Sequence, residues 1–245
     1  VAMAGSLATS NPDTKLRVAE SFLSIQGEGI LTGVPSWFLR LSGCNLRCRW
    51  CDTPYASWSP EGPTLPLDEI VSLCDRERGP AQHVVLTGGE PMLFDGVEAL
   101  TAGFRERGLH ITIETAGTVF RAVECDLMSI SPKLASSTPD EDSGWAARHE
   151  ASRLSFDVLR RLIKAYHYQF KFVVGESAES DFAEIESIVD QLPGVPSDRV
   201  LIMPEGTDSA TLHARARTLV EPCIERGWRL CPRLHIDLFG NTKGT

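Results

Sequence analysis

The sequence has no basic footprint. Its 24 Lys and Arg are outnumbered by 33 Asp and Glu, the formal net charge is −9, and no block of five or more Lys or Arg occurs. Nucleic-acid phosphates and anionic membrane surfaces are both held through such a footprint, so neither is expected as a partner. No apolar run approaches the ~18 residues of a membrane span. The opening stretch VAMAGSLATSNPDTKL lacks a basic region followed by an apolar core, and it reads as a disordered tail over residues 1–16, not a secretory leader. A disulfide framework would need an even set of cysteines spread along the chain. Here there are seven, three of them crowded together, which points to a reducing, cytoplasmic compartment. No internal repeat stands out.

The remaining composition is that of a globular protein: 245 residues, 42% apolar and 23% charged, enough to bury a substantial core. Short runs rich in Val, Ile and Phe are expected to be strands: SWFLRL (36–41), HVVLTG (83–88), HITIET (110–115), DLMSISP (126–132), YQFKFVVG (168–175), RVLIMPEG (199–206) and RLCPRLHIDLFG (229–240). Helix-like segments alternate with most of them. LDEIVSLCDRERG carries apolar residues at 67, 70, 71 and 73, acids early, arginines late and Gly79 as a stop; FAEIESIVDQL (182–192) and SATLHARARTLVEPCIERG (209–227) are similarly amphipathic. Strand–helix alternation implies an α/β fold with a mainly parallel sheet. A full eight-fold barrel takes ~250 residues, so an incomplete (β/α) barrel of about six core strands fits better, as a single domain over 17–245 with its site at the carboxyl ends of the strands. The polar stretch 134–155 reads as an insertion or loop.

Cys44, Cys48 and Cys51 form C-x3-C-x2-C directly after the strand SWFLRL. Structural zinc wants four protein ligands, and the next histidine, His83, stands alone at a strand start. Three thiolates on one tight loop suit a 4Fe-4S cluster with one iron left open for a substrate or cofactor. A zinc-bearing, non-enzymatic binding module is the alternative from a different class. Cys74, Cys125, Cys223 and Cys231 read as core cysteines.

CNLRCRWC (44–51), with Trp50 before its last cysteine, is followed one βα unit later by TGGEPML (87–93). Together they resemble the radical S-adenosylmethionine (SAM) superfamily, in which the GGEP glycines bring backbone close to the cofactor's amino group. SIQGEG (24–29), Arg40 four residues before Cys44, CDT (51–53) and the ending LHIDLFGNTKGT extend the resemblance over residues ~17–245 to the 7-carboxy-7-deazaguanine synthase family of queuosine and 7-deazapurine biosynthesis. A glycyl-radical-enzyme activase is the alternative within the superfamily.

The resemblance implies a carbon–nitrogen lyase. The reduced cluster cleaves SAM to methionine and a 5′-deoxyadenosyl radical, which takes hydrogen from C6 of 6-carboxy-5,6,7,8-tetrahydropterin. Ring contraction with loss of ammonia gives 7-carboxy-7-deazaguanine, and SAM is regenerated. It further implies a homodimer, a reductant protein such as a flavodoxin, and Mg²⁺ held at Thr53, with Asp52 as a helix cap or supporting residue. Cys44, Cys48 and Cys51 become the cluster ligands. Arg40 offers a planar fork of donors for the pterin carboxylate. Gln26, Gly27 and Glu28, with Ile25 alongside, would read the pterin edge, although QGEG is otherwise only a turn. Thr87 and His235 are expected at strand ends facing the site. For SAM the resemblance names Gly89, then Ser131, Pro132 and Lys133 in SPK, and Lys171, Phe172, Val173 and Val174 in KFVV.

Overall fold

The computed structural model describes residues 14–245. Most of the stretch expected as a tail lies outside the described residues, but Lys15 and Leu16 begin the first strand and Leu16 is buried, so the tail reading does not hold for them. In chain order the elements are β1 (Lys15–Ile25), β2 (Pro35–Leu41), β3 (Thr64–Pro66), α1 (Leu67–Glu77), β4 (His83–Gly88), α2 (Val97–Glu106), β5 (His110–Thr115), β6 (Leu127–Ile130), α3 (Ala146–Ser152), α4 (Phe156–Ala165), β7 (Tyr168–Val174), α5 (Ala178–Asp190), β8 (Val200–Pro204), α6 (Ser209–Arg226), β9 (Arg229–Leu230) and α7 (Leu234–Phe239).

The strands form one open sheet in the order β3-β1-β2-β4-β5-β6-β7-β8-β9. β2 and β4 to β8 are mutually parallel, as an incomplete barrel requires, and β9 adds in parallel at one edge. β1 runs antiparallel to both β2 and β3. One strand expectation is overturned. The run 229–240 is a two-residue strand followed by a helix, because Pro232 has no N–H for a ladder, while Ile236 N–H and Gly240 N–H bond back to Arg233 O and Ile236 O.

Side chains alternate across the sheet, and the two faces differ in chemistry. Trp37, Leu39, Val84, Leu86, Ile111, Ile113, Met128, Ile130, Phe170, Phe172, Val174 and Ile202 point toward the helices and form the main core. The opposite positions carry Arg40, Thr87, Thr112, Glu114, Ser129, Ser131, Gln169 and Lys171. Strands covered on both faces ordinarily read as continuous apolar runs. Apolar side chains such as Phe38, Val85, Val173 and Leu201 share this face, but its run of polar residues over β4 to β7 marks it as the one built for a ligand. HITIET already shows this alternation in the sequence.

The stretch 134–155 is more ordered than a loop. It contains α3, preceded by single 3₁₀ turns at Ala135–Ser137 and Glu141–Ser143. What anchors it is His149, which is completely buried against the cysteine loop. Among the described residues no helix is long and apolar enough to cross a membrane.

Candidate active site

A cavity of about 310 Å³ opens at the carboxyl ends of the parallel strands. The turn after β1, the loop after β2, the ends of β4 to β7 and the segment around α7 all contribute to its wall. Ile25, Gln26, Gly27, Glu28, Arg40, Thr53, Thr87, Gly89, Ser131, Lys133, Lys171, Val173 and His235 line it. His235 reaches it from α7, not from a strand end. Strand alternation turns the side chains of Phe172 and Val174 into the helix-facing core, so these two can meet a ligand through their backbone. Pro132 is buried behind the wall.

At one side, Glu28 is the hub of a charged cluster. It ion-pairs with Lys171, accepts from Arg233 Nε at 2.9 Å, and lies 3.9 Å from His235 Nε2. Burial works to raise the Glu28 pKa, but Lys171, Arg233 and His235 more than reverse it and hold the carboxyl well below its usual range. Lys171 is buried too, and Glu114 and Glu28 together hold its pKa above the usual range. His235 is pushed down by burial and by Arg233, which favours a neutral imidazole. Arg233 also donates to Asp52 Oδ2 and, at 2.6 Å, to Gly206 O, so the Asp52 carboxylate is committed to an ion pair and caps no helix.

Glu114 connects this cluster to β1 and β4. It accepts from Thr87 Oγ1 at 2.9 Å and from Gln26 Nε2 at 3.4 Å, and lies 3.6 Å from Lys171 Nζ. The QGEG turn is held by contacts only glycine permits. A Cβ on Gly27 would lie 2.0 Å from His235 Nδ1, while Gly29 takes φ +78° beneath Gln169.

Arg40 meets Glu20, its register partner across β1 and β2, through Nε at 2.6 Å. Tyr55 O–H donates to the same Glu20 oxygen at 2.7 Å. Burial acts to lower the Arg40 pKa, but Tyr55, Glu20 and Asp52 outweigh it and the guanidinium stays firmly charged. Among the described residues its terminal nitrogens have no hydrogen-bond partner, so they remain available to a carboxylate.

The cysteine loop lies alongside. Burial pushes the Cys44 thiol up to about 12 and the Cys48 thiol up to about 11, and neighbouring cysteines add to both effects. Such thiols are protonated at neutral pH and become thiolates when a metal centre displaces the protons. Among the described residues no three His, Cys, Asp or Glu side chains converge as they would around a single ion. A cluster ligated at three separate irons does not require that convergence, whereas one zinc ion does. Cys51 Sγ lies 3.1 Å from Ser57 Oγ and 3.9 Å from Thr53 Oγ1, which brings the cysteine loop to the cavity wall.

The GGEP turn packs directly into that loop. Glu90 N–H donates to Gly43 O at 2.9 Å, and a Cβ on Gly89 would lie 2.3 Å from Gly43 O, 2.6 Å from Ala56 O and 2.7 Å from Cys44 Cβ. The buried Glu90 carboxylate accepts from Thr115 Oγ1, Ala116 N and Met92 N, so it shapes the turn from behind. Lys133 donates to Ser131 Oγ at 2.9 Å and sits 5.7 Å from the Trp50 ring centroid. These residues leave glycine backbone, a hydroxyl and a cation facing the cavity beside three thiols, a donor set that fits a cluster and a small zwitterionic cofactor.

His149 braces the loop from outside. Its Nδ1 accepts from Arg47 N–H at 3.1 Å, which places the ring proton on Nε2, 3.0 Å from Ser137 Oγ. Ser137 O in turn accepts from Arg49 N–H at 2.9 Å. The Arg47 guanidinium lies 4.3 Å from the Trp145 ring centroid.

Glu20, Tyr55, Glu114, Glu90, Arg233, Ser137 and His149 went unread in the sequence. Of these, Glu90 lay inside the GGEP motif and Glu114 in the alternation of HITIET. Of the remaining cysteines, Cys74 and Cys223 sit in the main core, Cys125 packs against it, and Cys231 lies under the QGEG turn, its thiol pushed up to about 11 by burial.

The Radical SAM superfamily model matches residues 39–167. The chain is 45% identical over 237 residues to a 7-carboxy-7-deazaguanine synthase of Rhodopirellula baltica, covering 95% of this chain and 90% of that protein. It is 43% identical to one of Halobacterium salinarum, covering 94% and 93%. The crystal structure of QueE from Escherichia coli superposes with a TM-score of 0.69 at 25% identity, over 90% of this chain and 95% of that one.

Proposed function

The chain belongs to the 7-carboxy-7-deazaguanine synthase family of the radical SAM superfamily, and from that premise we infer that the cavity between the QGEG turn and the cysteine loop is its active site. The enzyme is a carbon–nitrogen lyase of 7-deazapurine biosynthesis that uses a 4Fe-4S cluster, SAM and Mg²⁺ to turn 6-carboxy-5,6,7,8-tetrahydropterin into 7-carboxy-7-deazaguanine. When bound, the cluster and SAM supply hydrogen abstraction at C6 of the pterin.

The chain's own residues bind, orient and exclude water. Cys44, Cys48 and Cys51 hold the cluster, while Gly89, Ser131, Lys133 and the backbone of 171–174 line the SAM side. Lys171 itself groups with Glu28 and Glu114 on the substrate side. The terminal nitrogens of Arg40 take the pterin carboxylate as a two-pronged ion pair. Thr53 would hold magnesium through its neutral hydroxyl oxygen, and the ion would supply positive charge beside the Arg40 side of the cavity. Glu28, held ionised by Lys171 and Arg233, and Glu114, held by Thr87 and Gln26, face the donor edge of the pterin as acceptors. His235, neutral and packed on Gly27, closes that edge.

A single observation carries this reading: residues of the cysteine loop (Trp50, Asp52, Thr53) and of the GGEP turn (Gly89) line one cavity together with Arg40, Glu28 and Glu114. A one-electron reductant is required; a flavodoxin-type donor, a homodimer and a cytoplasmic setting complete the proposal. Anaerobic incubation of reconstituted protein with the carboxytetrahydropterin, SAM, Mg²⁺ and dithionite tests it. A deazapurine carboxylate stoichiometric with lost ammonia is expected, whereas SAM cleavage without that product would favour the activase.

A further inference from the structure

Three segments far apart in the chain meet at one buried guanidinium. Arg233, between β9 and α7, has a side chain only 8% exposed and lines the cavity. Its Nε donates to Glu28 Oε1 at 2.9 Å, one terminal nitrogen donates to Gly206 O at 2.6 Å, and the other donates to Asp52 Oδ2. Glu28 belongs to the QGEG turn, and Asp52 stands between Cys51 and Thr53. Among the described residues no hydrogen bond or ion pair joins turn 26–34 directly to loop 42–58. Ile30 and Trp50 do pack on the same four residues, Val173, Leu201, Met203 and Cys231. Apolar burial is non-directional, however, and lets one surface slide over another. Resting on the reading that this cavity holds the pterin beside the cofactor, we propose that Arg233 is a positioning residue. It fixes the substrate turn against the cysteine loop, so that hydrogen abstraction is aimed at the pterin.

An arginine suits this task because its donors leave a rigid plane in fixed directions, which a lysine ammonium cannot reproduce. Glu28 and Asp52 are both acids held against that plane, so removing it leaves two like charges to push the turn and the loop apart. The contact to Gly206 O anchors the guanidinium to the loop after β8, and the plane itself is held in place. On the substrate side the link is doubled, since Leu234 N–H donates to Gly27 O at 2.9 Å. On the cysteine-loop side Arg233 reaches only Asp52. A misplacement of about 1 Å between reacting groups costs about a hundredfold in rate. Abstraction that misses the pterin ends as free 5′-deoxyadenosine, its hydrogen atom taken from a buffer thiol that is left as a thiyl radical. Loss of the link therefore shows as misdirected SAM cleavage, not as a missing cluster.

The test compares wild type with Arg233→Lys, Asp52→Ala and the double variant, all reconstituted anaerobically. The first readout is 5′-deoxyadenosine released per deazapurine formed, with SAM, the carboxytetrahydropterin, Mg²⁺, dithionite and dithiothreitol present. Both single variants are expected to raise this ratio about tenfold or more at wild-type iron and sulfide content. The double variant should be no worse than the poorer single one, because both changes cut the same link. A residue that only stabilises the fold would lower cluster content and both rates together and leave the ratio where it was. The second readout involves no turnover: electron–nuclear double resonance of the reduced cluster, with S-adenosylhomocysteine and pterin deuterated at C6. Dipolar coupling falls with the cube of distance, so one defined deuterium coupling is expected in wild type and a weaker or spread one in the variants. Should Arg233→Lys fail to hold its cluster, Asp52→Ala, which leaves the Glu28–Arg233 contact in place, carries the test. An unchanged ratio and coupling in a cluster-loaded variant overturn the proposal, and so do additive effects in the double variant. Wild type that yields neither deazapurine nor a deuterium coupling overturns the reading of the cavity itself, and the Arg233 assignment falls with it.

Discussion

Lys171 on β7 ion-pairs with Glu28 in the turn after β1, although 143 positions separate them in the chain. The pair closes the barrel interior across strands that are not neighbours. Arg233 and Glu114 surround it, so each buried charge has more than one counter-charge.

Glu28→Gln keeps the shape and removes the charge, leaving Lys171 and Arg233 each with one acid fewer. Breaking a buried pair on one side costs about 3 kcal/mol, and the variant is expected to lose stability of that order in urea denaturation of the apo-protein. Loss of one charged acceptor to the pterin should lower kcat/KM about a hundredfold. Unchanged denaturation and unchanged pterin affinity together would refute the hub role.

Gly89→Ala and Gly27→Ala place the same methyl group against very different neighbours. At Gly89 it meets the carbonyls of Gly43 and Ala56, which are backbone and cannot step aside. That variant should bind SAM poorly and retain little cluster iron. At Gly27 the methyl meets the His235 side chain from its ring to its Cβ, so α7 must draw back from the turn. This protein should reconstitute with full iron and sulfide yet show a raised KM for the pterin. Iron analysis and SAM binding by equilibrium dialysis separate the two outcomes.

His149→Ala removes the acceptor for Arg47 N–H and one of the partners of the buried Ser137 hydroxyl, which keeps its bond to Leu134 O. The expected cost is about 1–3 kcal/mol of apo-protein stability. Its reconstituted cluster should lose visible absorbance in air faster than wild type. A bleaching rate equal to wild type would show that the brace does not restrain the loop.

His83 is buried between Ser36 Oγ and Thr112 Oγ1, each 2.7 Å from a ring nitrogen, with the His110 ring 4.9 Å away. Burial, with help from His110, lowers its pKa from 6.5 to about 4. A histidine depressed in the folded state stays neutral there while the unfolded chain takes up the proton. Its contribution is therefore complete above pH 6.5 and is lost as pH falls toward 4. The shift corresponds to up to about 3 kcal/mol. Urea midpoints measured between pH 7 and pH 4 should fall for wild type and fall less for His83→Gln. Parallel curves for the two proteins would contradict this account.

How far the sequence reaches is visible in which residues it exposes. C-x3-C-x2-C, GGEP and QGEG are legible because ligand spacing on one loop, or a glycine required by close approach, is a property of a few consecutive residues. The parallel strands and α1, α5 and α6 are legible for the same reason, since a period of two or of 3.6 is local. The run 229–240 misled because apolar content outweighed the break at Pro232. In KFVV strand alternation turns the side chains of Lys171 and Val173 inward and those of Phe172 and Val174 outward, a division that the motif does not record.

Hydrophobic period and cysteine spacing, both written in contiguous residues, determined the incomplete barrel and the cysteine loop, while the kind of chemistry came from the family that the short motifs resemble. The three-dimensional chain path alone decided that Glu20 stands opposite Arg40, that Glu28 is shared by Lys171 and Arg233, and that His149 steadies the cysteine loop. A side chain's charge and hydrogen bonds take their meaning from whichever distant residues the sheet brings within about 3 Å, and no local pattern records that distance.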